Sequence, residues 1–491
     1  MNRKLANLLL IPMLLVVLLA ALVIVTIFFP EQAPGIDPFD PPDFTPTPAP
    51  SDWSRFELDL HPVTVEPVAL DKIPVRRIAL PEHLSPSLIQ PTSDGGCLAV
   101  SYSQVDANDA SGKSGYYLRG TRFKADGSVL WDRRYENDPF NGYPVSLCIF
   151  PDDSFALSIR LTDTASTEGL MLDRLMRFTK DGSKSWQSSE GQTAAGALDH
   201  LFAGPDGAVL AAGTVTTNQT DGNFENKVSL LRFDRSGALS GQLQVDGTGN
   251  QLLSDAAYTE ESGLVLVWWR ETTGEQSSPN AGFTQIAQAG CFGADFSQKW
   301  IKEMEPGVNL YNVQILPDGN GILAFGNAPA PEGFVPDTAV ISTMFHLTGQ
   351  GTLDWTYSPD AANCWLMNAA MLTDGRIIAG KYTGGAESGN ISSLLVFSEG
   401  SQTPETLADL PGTIQQLIPT RDGGITAVSQ QSVRTIPQPP YVSSIWTDTA
   451  VIIAHYDRNL KLVWRRTIDQ YKHSLRNDIV IATVDDRLLV G

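Results

Sequence analysis

The chain has 491 residues, with 34 basic and 55 acidic side chains and a net charge of −21. A surplus of that sign repels phosphate backbones and anionic headgroups, which excludes nucleic acid as a partner and any electrostatic lipid anchor. Only 9% of residues are aromatic, yet Trp and Phe recur at fixed spacing.

Residues 5–29 carry no charge over 25 positions. At 1.5 Å per residue such a helix spans a hydrocarbon core of ~30 Å. Arg3 and Lys4 precede it, and Glu31, Asp37 and Asp40 follow. This asymmetry predicts a short cytoplasmic tail (1–4), a transmembrane signal anchor (5–29) and an extracytoplasmic remainder. The apolar run is too long for a cleaved signal peptide and has no Cys after it for lipid attachment. Residues 30–50 hold eight prolines and read as an extended stalk.

From residue 51 a unit of about 55 residues repeats to the C-terminus. Each copy opens with an apolar hairpin around an acidic turn. Examples are TSDGG at 92–96, FPDDS at 150–154, GPDGA at 204–208, LTDGR at 372–376 and TRDGG at 420–424. Asp-Gly turns supply the positive φ of tight hairpins. The second half carries an aromatic or apolar residue and then Trp eight positions later: Phe123/Trp131, Phe178/Trp186, Phe292/Trp300, Leu347/Trp355 and Tyr456/Trp464. Phe233/Gly241 and Phe397/Glu405 keep the spacing without the Trp. Four strand-like segments per unit predict an all-β fold, a β-propeller over 51–491, with the Trp residues as a structural blade motif between blades. The hairpin at 479–491 has no second half, and the segment around 56–78 has no hairpin. Its VRRI (75–78) is similar to WDRRY (131–135) and WRRT (464–467). The two ends together predict an eighth, composite blade closing the ring. A seven-bladed ring with a frayed end is the alternative.

In this arrangement the turns within the two hairpins of a unit fall on one face, and the longer connections on the other. The latter include 104–116, 215–226, 270–283, 326–339 and 430–448. Variable loops on one face of a repeat protein mark its usual binding side. Segment 430–448 offers Tyr441 and Trp446 beside three prolines, and the connections between units add Phe140, Tyr143, Tyr311 and Trp365. These aromatics are the candidate partner-binding residues, suited to a protein or a cell-envelope glycan.

Catalytic and metal signatures are absent. The six histidines show no HxH or HExxH spacing, and no nucleophile elbow or phosphate loop occurs. Cys97, Cys148, Cys291 and Cys364 lie far apart, and free buried thiols are expected. No cofactor or metal site and no catalytic residue is predicted. The leading reading is a membrane-anchored binding scaffold. The alternative is a glycan hydrolase or lyase with carboxylates near the propeller axis.

The Gly-x-x-x-Trp element in DGSVLW (126–131), DGSKSW (181–186) and GQGTLDW (349–355) resembles the strand motif of PQQ-like, quinoprotein-type propellers. That superfamily includes quinoprotein alcohol dehydrogenases and an outer-membrane assembly lipoprotein. The resemblance implies the propeller fold. The adjacent cysteines and calcium ligands of the dehydrogenases have no counterpart here, so it implies no quinone cofactor.

Overall fold

Strands alternate with tight turns from the first described residue onward. The computed structural model describes residues 86–490 apart from 105–115, 136–141, 163–170, 189–195, 219–223, 273–283, 318, 320, 331–339, 361–363, 384–390, 399–400, 437–445, 472–480 and 485–486. The expected transmembrane segment, the stalk and Phe140 and Tyr441 lie outside the described residues. The described residues all belong to one compact unit, 60–491.

Seven antiparallel four-stranded sheets follow one another along the described chain. The first holds β1 (Pro86–Pro91), β2 (Cys97–Gln104), β3 (Tyr116–Phe123) and β4 (Val129–Arg134). The second holds β5 (Gly142–Ile149), β6 (Phe155–Thr162), β7 (Met171–Phe178) and β8 (Lys184–Gln187). The third holds β9 (His200–Ala203), β10 (Val209–Asn218), β11 (Phe224–Phe233) and β12 (Leu239–Gln244). The fourth holds β13 (Gln251–Thr259), β14 (Gly263–Thr272), β15 (Thr284–Phe292) and β16 (Gln298–Glu303). The fifth holds β17 (Asn309–Ile315), β18 (Gly321–Pro329), β19 (Val340–Thr348) and β20 (Leu353–Tyr357). The sixth holds β21 (Cys364–Met371), β22 (Ile377–Thr383), β23 (Ile391–Phe397) and β24 (Glu405–Pro411). The seventh holds β25 (Thr413–Pro419), β26 (Ile425–Ile436), β27 (Trp446–Tyr456) and β28 (Leu462–Tyr471). A hairpin, β29 (Ile481–Val484) and β30 (Arg487–Val490), follows.

First strands of successive sheets touch: β1 with β5, β5 with β9, β9 with β13, β13 with β17, and β21 with β25. The C-terminal β29 packs against β1. First strands are therefore innermost and fourth strands outermost, the arrangement of a β-propeller. The second and third strands carry the core. Leu157, Ala211, Leu266, Ala324, Ala379 and Val428 are fully buried, as are Leu175, Leu230, Ala289, Met344, Leu394 and Val451. Buried clusters run from one sheet into the next, so each blade completes its neighbour's core.

Inner strands are also stitched by polar groups. β1, β5, β13, β17, β21 and β25 each contain a register shift. A bulge re-aims side chains along the ring. Ser146 Oγ accepts the Leu201 N–H at 3.0 Å, and Gln314 Oε1 accepts that of Ala369 at 3.2 Å. Tyr311 donates its hydroxyl to Leu366 O at 3.0 Å, and Asn368 Nδ2 donates to Gln415 O at 2.8 Å. Each bond crosses between sheets.

The turns explain the sequence motif. In the third-to-fourth-strand turns, Asp126, Asp234 and Asp295 accept the backbone N–H two residues on, and Asp457 does the same for Asn459. A Gly in the left-handed region closes the loop, at φ 78° for Gly127, 79° for Gly182, 90° for Gly237 and 79° for Gly351. Three of the motif Trp residues bridge successive sheets. Trp131 Nε1 donates to Lys180 O at 3.0 Å, Trp186 to Arg235 O at 3.0 Å and Trp300 to Gly349 O at 2.9 Å. Each acceptor belongs to the next sheet's turn. The indole packs against that turn's Gly. A Cβ on Gly182, Gly237 or Gly351 would come within 2.9, 2.7 or 2.5 Å of the ring.

The other two motif residues, Trp355 and Trp464, have different immediate partners. Trp355 reaches the next sheet but has no Gly seat there, because Ser401 stands four residues after Phe397, where Gly182 follows Phe178 and Gly237 follows Phe233. Its ring stacks instead on Phe397 of the sixth sheet, centroids 5.5 Å apart, with His346 of its own sheet at 5.0 Å. Trp464 is placed by its own sheet. It stacks on His455 at 5.6 Å and packs against Val428, Val451 and Ile453. The third and fourth strands expected beyond it, from 56–78, lie outside the described residues, so an inter-blade place for Trp464 belongs to the proposal below.

Several expected loops are shorter than the sequence suggested, those at 270–283 and 326–339 because β14 runs to Thr272 and β18 to Pro329. β10 and β11 stay paired out to Asn218 and Phe224, and β26 and β27 out to Ile436 and Trp446. Thr, Val and Ile at these positions favour the pleat over loop geometry. Trp446 therefore begins a strand instead of lying in a loop.

Candidate binding faces

Of the predicted aromatics, the structure describes the side chains of Tyr143, Tyr311 and Trp365. Tyr143 and Trp365 each occupy the second position of an inner strand, β5 and β21, and remain 40% and 41% exposed. Trp365 leans on Tyr382, with ring centroids 5.4 Å apart. The two belong to the second and sixth sheets, in separate surroundings. Tyr311 is taken up by the inter-sheet bond to Leu366 and by Ser342 at 3.2 Å, so its role is packing. For Trp446 the structure gives the strand position only. Phe140 and Tyr441 are outside the described residues.

An ion network fixes the connection entering β9. Arg160 Nε donates to Asp173 at 2.9 Å, and the same guanidinium pairs with Asp199. Asp173 also accepts the Leu198 N–H at 3.1 Å. Its side chain is wholly buried. The network holds chain rather than ligand, since every oxygen named has a protein partner.

On the inner strands Asp255 is similarly engaged. Its oxygens accept the N–H groups of Ala256 at 2.8 Å and Val313 at 2.9 Å. His200 Nδ1 stands 3.8 Å away. Burial pushes the Asp255 carboxyl up against the opposing pull of these donors. A carboxylate held in this way braces two strands and is no free acid for the hydrolase alternative. Among the described residues no group of three or more His, Cys, Asp or Glu is placed to hold a metal ion.

All four cysteines are free and buried. Burial raises the Cys97 thiol to about 11 and the Cys148 thiol to about 12. Neither is then a thiolate near neutral pH. In the native protein at pH 8, a thiol reagent is expected to leave both unmodified, and unfolding in guanidinium should release all four. Fast native labelling of Cys148 would contradict its placement.

The opposite face carries a feature the sequence reading passed over. A cleft of about 680 Å³ crosses the short-turn side, from Gln90 and Pro91 in the first sheet to Tyr258 and Glu260 in the fourth. A departure from the turn pattern was its one trace in the sequence. FPDDS places Asp153 where most other copies have Gly, yet the backbone keeps φ at 62°. The carboxylate of Asp153 accepts Ser93 N at 2.7 Å and Ser93 Oγ at 2.9 Å, and Arg122 Nη2 lies at 3.2 Å. Three bonds to the neighbouring sheet offset the strain of a non-glycine in this region.

No protein-family model matches the sequence, and no curated protein matches it. Solved structures do align with the fold. The propeller domain of the trilobed protease from Pyrococcus furiosus is 10% identical, with 81% of this chain and 97% of that one covered and a TM-score of 0.39. The WD40 domain of SCAP from fission yeast is 9% identical over 83% and 93% of the chains, at 0.40. Prolyl oligopeptidase B from Galerina marginata is 12% identical over 81% and 53%, at 0.42. The chain spans about half the length of the peptidases it matches, 52% for the Pyrococcus horikoshii acylaminoacyl peptidase.

Proposed function

We propose that this protein is a membrane-anchored, extracytoplasmic β-propeller of the PQQ-like kind. It serves as a scaffold that binds a protein or cell-envelope polymer on its long-connection face. The carrying observation is the placement of Tyr143 and Trp365. Both are large aromatics at the same position of an inner strand, left open on that face. Rigid, half-open aromatics are the usual anchors of a protein or glycan contact.

The ring has eight blades in this reading. A two-stranded hairpin such as β29–β30 leaves an unpaired edge and is marginal alone. Residues 56–66 and the VRRI segment at 75–78 supply its third and fourth strands, and Trp464 then faces them. Packing of β29 against β1 supports that closure.

The test is capture from solubilised envelope by the full chain. Two variants are compared with it: one with 437–445 replaced by a Gly-Ser linker, and Tyr143→Ser/Trp365→Ser. Both variants should lose the partner. Surface changes of this kind are expected to alter stability by no more than about 0.5 kcal/mol each. Undiminished capture by both variants would remove the long-connection face from the proposal.

A further inference from the structure

We propose a second binding site on the opposite, short-turn face, for an extended peptide carrying Lys or Arg side chains. The site is the cleft of about 680 Å³ that crosses four consecutive sheets. This size suits a small ligand or several residues of peptide. Its walls come from the turns of four successive blades. Pro91, Ile149, Phe150, Pro151, Pro205 and Tyr258 supply the apolar lining.

Charge selects the ligand. Four carboxylates (Asp152, Asp153, Asp206, Glu260) and two guanidinium groups (Arg177, Arg235) line the cleft. Most are already occupied. Arg177 stacks 3.5 Å over the Phe150 ring and donates to Gly207 O and Ser154 Oγ. Asp153 is held by Ser93 and Arg122. Asp152 accepts from Ser154, whose hydroxyl, with Arg177 and Arg235 nearby, holds its carboxyl below the usual range. Asp206 and Glu260 are exposed and belong to the third- and fourth-sheet end of the cleft. Asp206 sits there at φ 57°. Two uncommitted carboxylates and one exposed guanidinium, Arg235, remain beside the apolar trough, a net negative charge that matches a cation on a partly apolar backbone. The net charge of −21 adds a long-range pull in the same direction.

This site is independent of the aromatic face, so the two proposals fail separately. Together they would let the propeller hold two partners at once.

The test measures fluorescence anisotropy of a labelled, alternating Pro-Lys peptide of about eight residues, an extended chain by composition. The full chain is the receptor, and the Pro-Glu peptide is the sign control. Asp206→Asn/Glu260→Gln removes the cleft charge, and Asn tolerates the left-handed backbone at 206. Glu305→Gln/Asp360→Asn removes the same charge from exposed positions on the other face. Loss of two exposed ion pairs should weaken Pro-Lys binding about fivefold to tenfold in the cleft variant. The control pair should change it less than about twofold at physiological salt. Equal weakening in both variants, wild-type binding in the cleft variant, or equal affinity for Pro-Glu would each overturn the proposal.

Discussion

A chain carrying both Gly241→Trp and Phe296→Gly is expected to be nearly as stable as the natural one, although each change alone destabilises it. The reason lies in the junctions between blades. At three of them a Trp packs against the next turn's Gly. Between the third and fourth sheets the pair is inverted. Gly241 stands in the Trp position, and Phe296 stands in the turn at φ 66°, where those three junctions have Gly. A Cβ on Gly241 would lie 3.7 Å from the Phe296 ring. One aromatic thus fills each of these junctions, from one side or the other. Gly241→Trp alone puts two rings in one space, and overpacking costs about 1–3 kcal/mol. Phe296→Gly alone empties the space. Deleting a buried Phe costs about 3–5 kcal/mol, and relief of the left-handed backbone returns about 1–2 kcal/mol. The double change re-creates the Trp-on-Gly arrangement, so the coupling between the two sites should nearly cancel the two single losses, at about 3 kcal/mol or more in favour of the pair. Denaturant midpoints for the four proteins, followed by far-ultraviolet circular dichroism, measure it. Additive losses would show that the junctions are not interchangeable.

The same inversion recurs where Glu405 takes the Trp position. Leu460 then occupies the following turn at φ 60°, buried beside Leu407 and Ala408. In the sequence, Gly241 and Glu405 read as decayed copies of the motif. They are one half of a compensated pair, whose other half lies 55 residues on. Comparing each fourth-strand position with the turn of the next repeat would have found it. The same comparison sets Trp355 against Ser401 and shows why that ring rests on Phe397 instead of a glycine.

The repeat made the blades legible because turn chemistry is local. Asp caps its own turn, and Gly supplies its own φ. The indole's place at three junctions followed from repetition, whereas Trp355 and Trp464 show that one spacing can carry different partners. What escaped was set by pairs distant in sequence. β26 and β27 continue to Ile436 and Trp446 because the two strands stay in register, and neither half alone announces it. Trp268, the largest fully buried side chain among the described residues, belongs to no motif; it packs on Gly290 of the adjacent strand. The cleft arises from how four successive turns are spaced, a property of no single repeat. Tyr143 and Trp365 were readable as candidates because of where the connections between units fall, whereas Tyr311, chosen by the same logic, proved to be a strut between sheets.

Arg122→Met should be the most damaging single change near that cleft. Its side chain is 4% exposed, and Nη2 lies 2.8 Å from Asp94 and 3.2 Å from Asp153. It therefore ties its own sheet's first turn to the next sheet's. Removing one partner of a buried ion pair costs about 3–5 kcal/mol, because the remaining charge is stranded. Asp94 is 45% exposed, so water recovers part of that. A loss of about 2–3 kcal/mol is expected. Met preserves the aliphatic bulk, and the Arg122 Nε, buried without an acceptor, is not missed. Asp153→Gly should cost less, since it relieves a left-handed Asp while giving up the bonds to Ser93. Combined with Arg122→Met, it should cost less than the sum, because no stranded carboxylate remains at 153. Acid gives the sign. Burial works to raise the Asp94 carboxyl, but hydrogen bonds from Gly96, Thr92 and Arg122 hold it below its ordinary 3.8. A depressed carboxyl contributes stability above its unfolded value and loses it as pH falls through the folded one. The gap between natural and Arg122→Met proteins should therefore be full at pH 7 and shrink below about pH 4. Urea titrations at both ends of that range decide it, and a gap that stays constant with pH would mean that Arg122 acts through packing rather than charge.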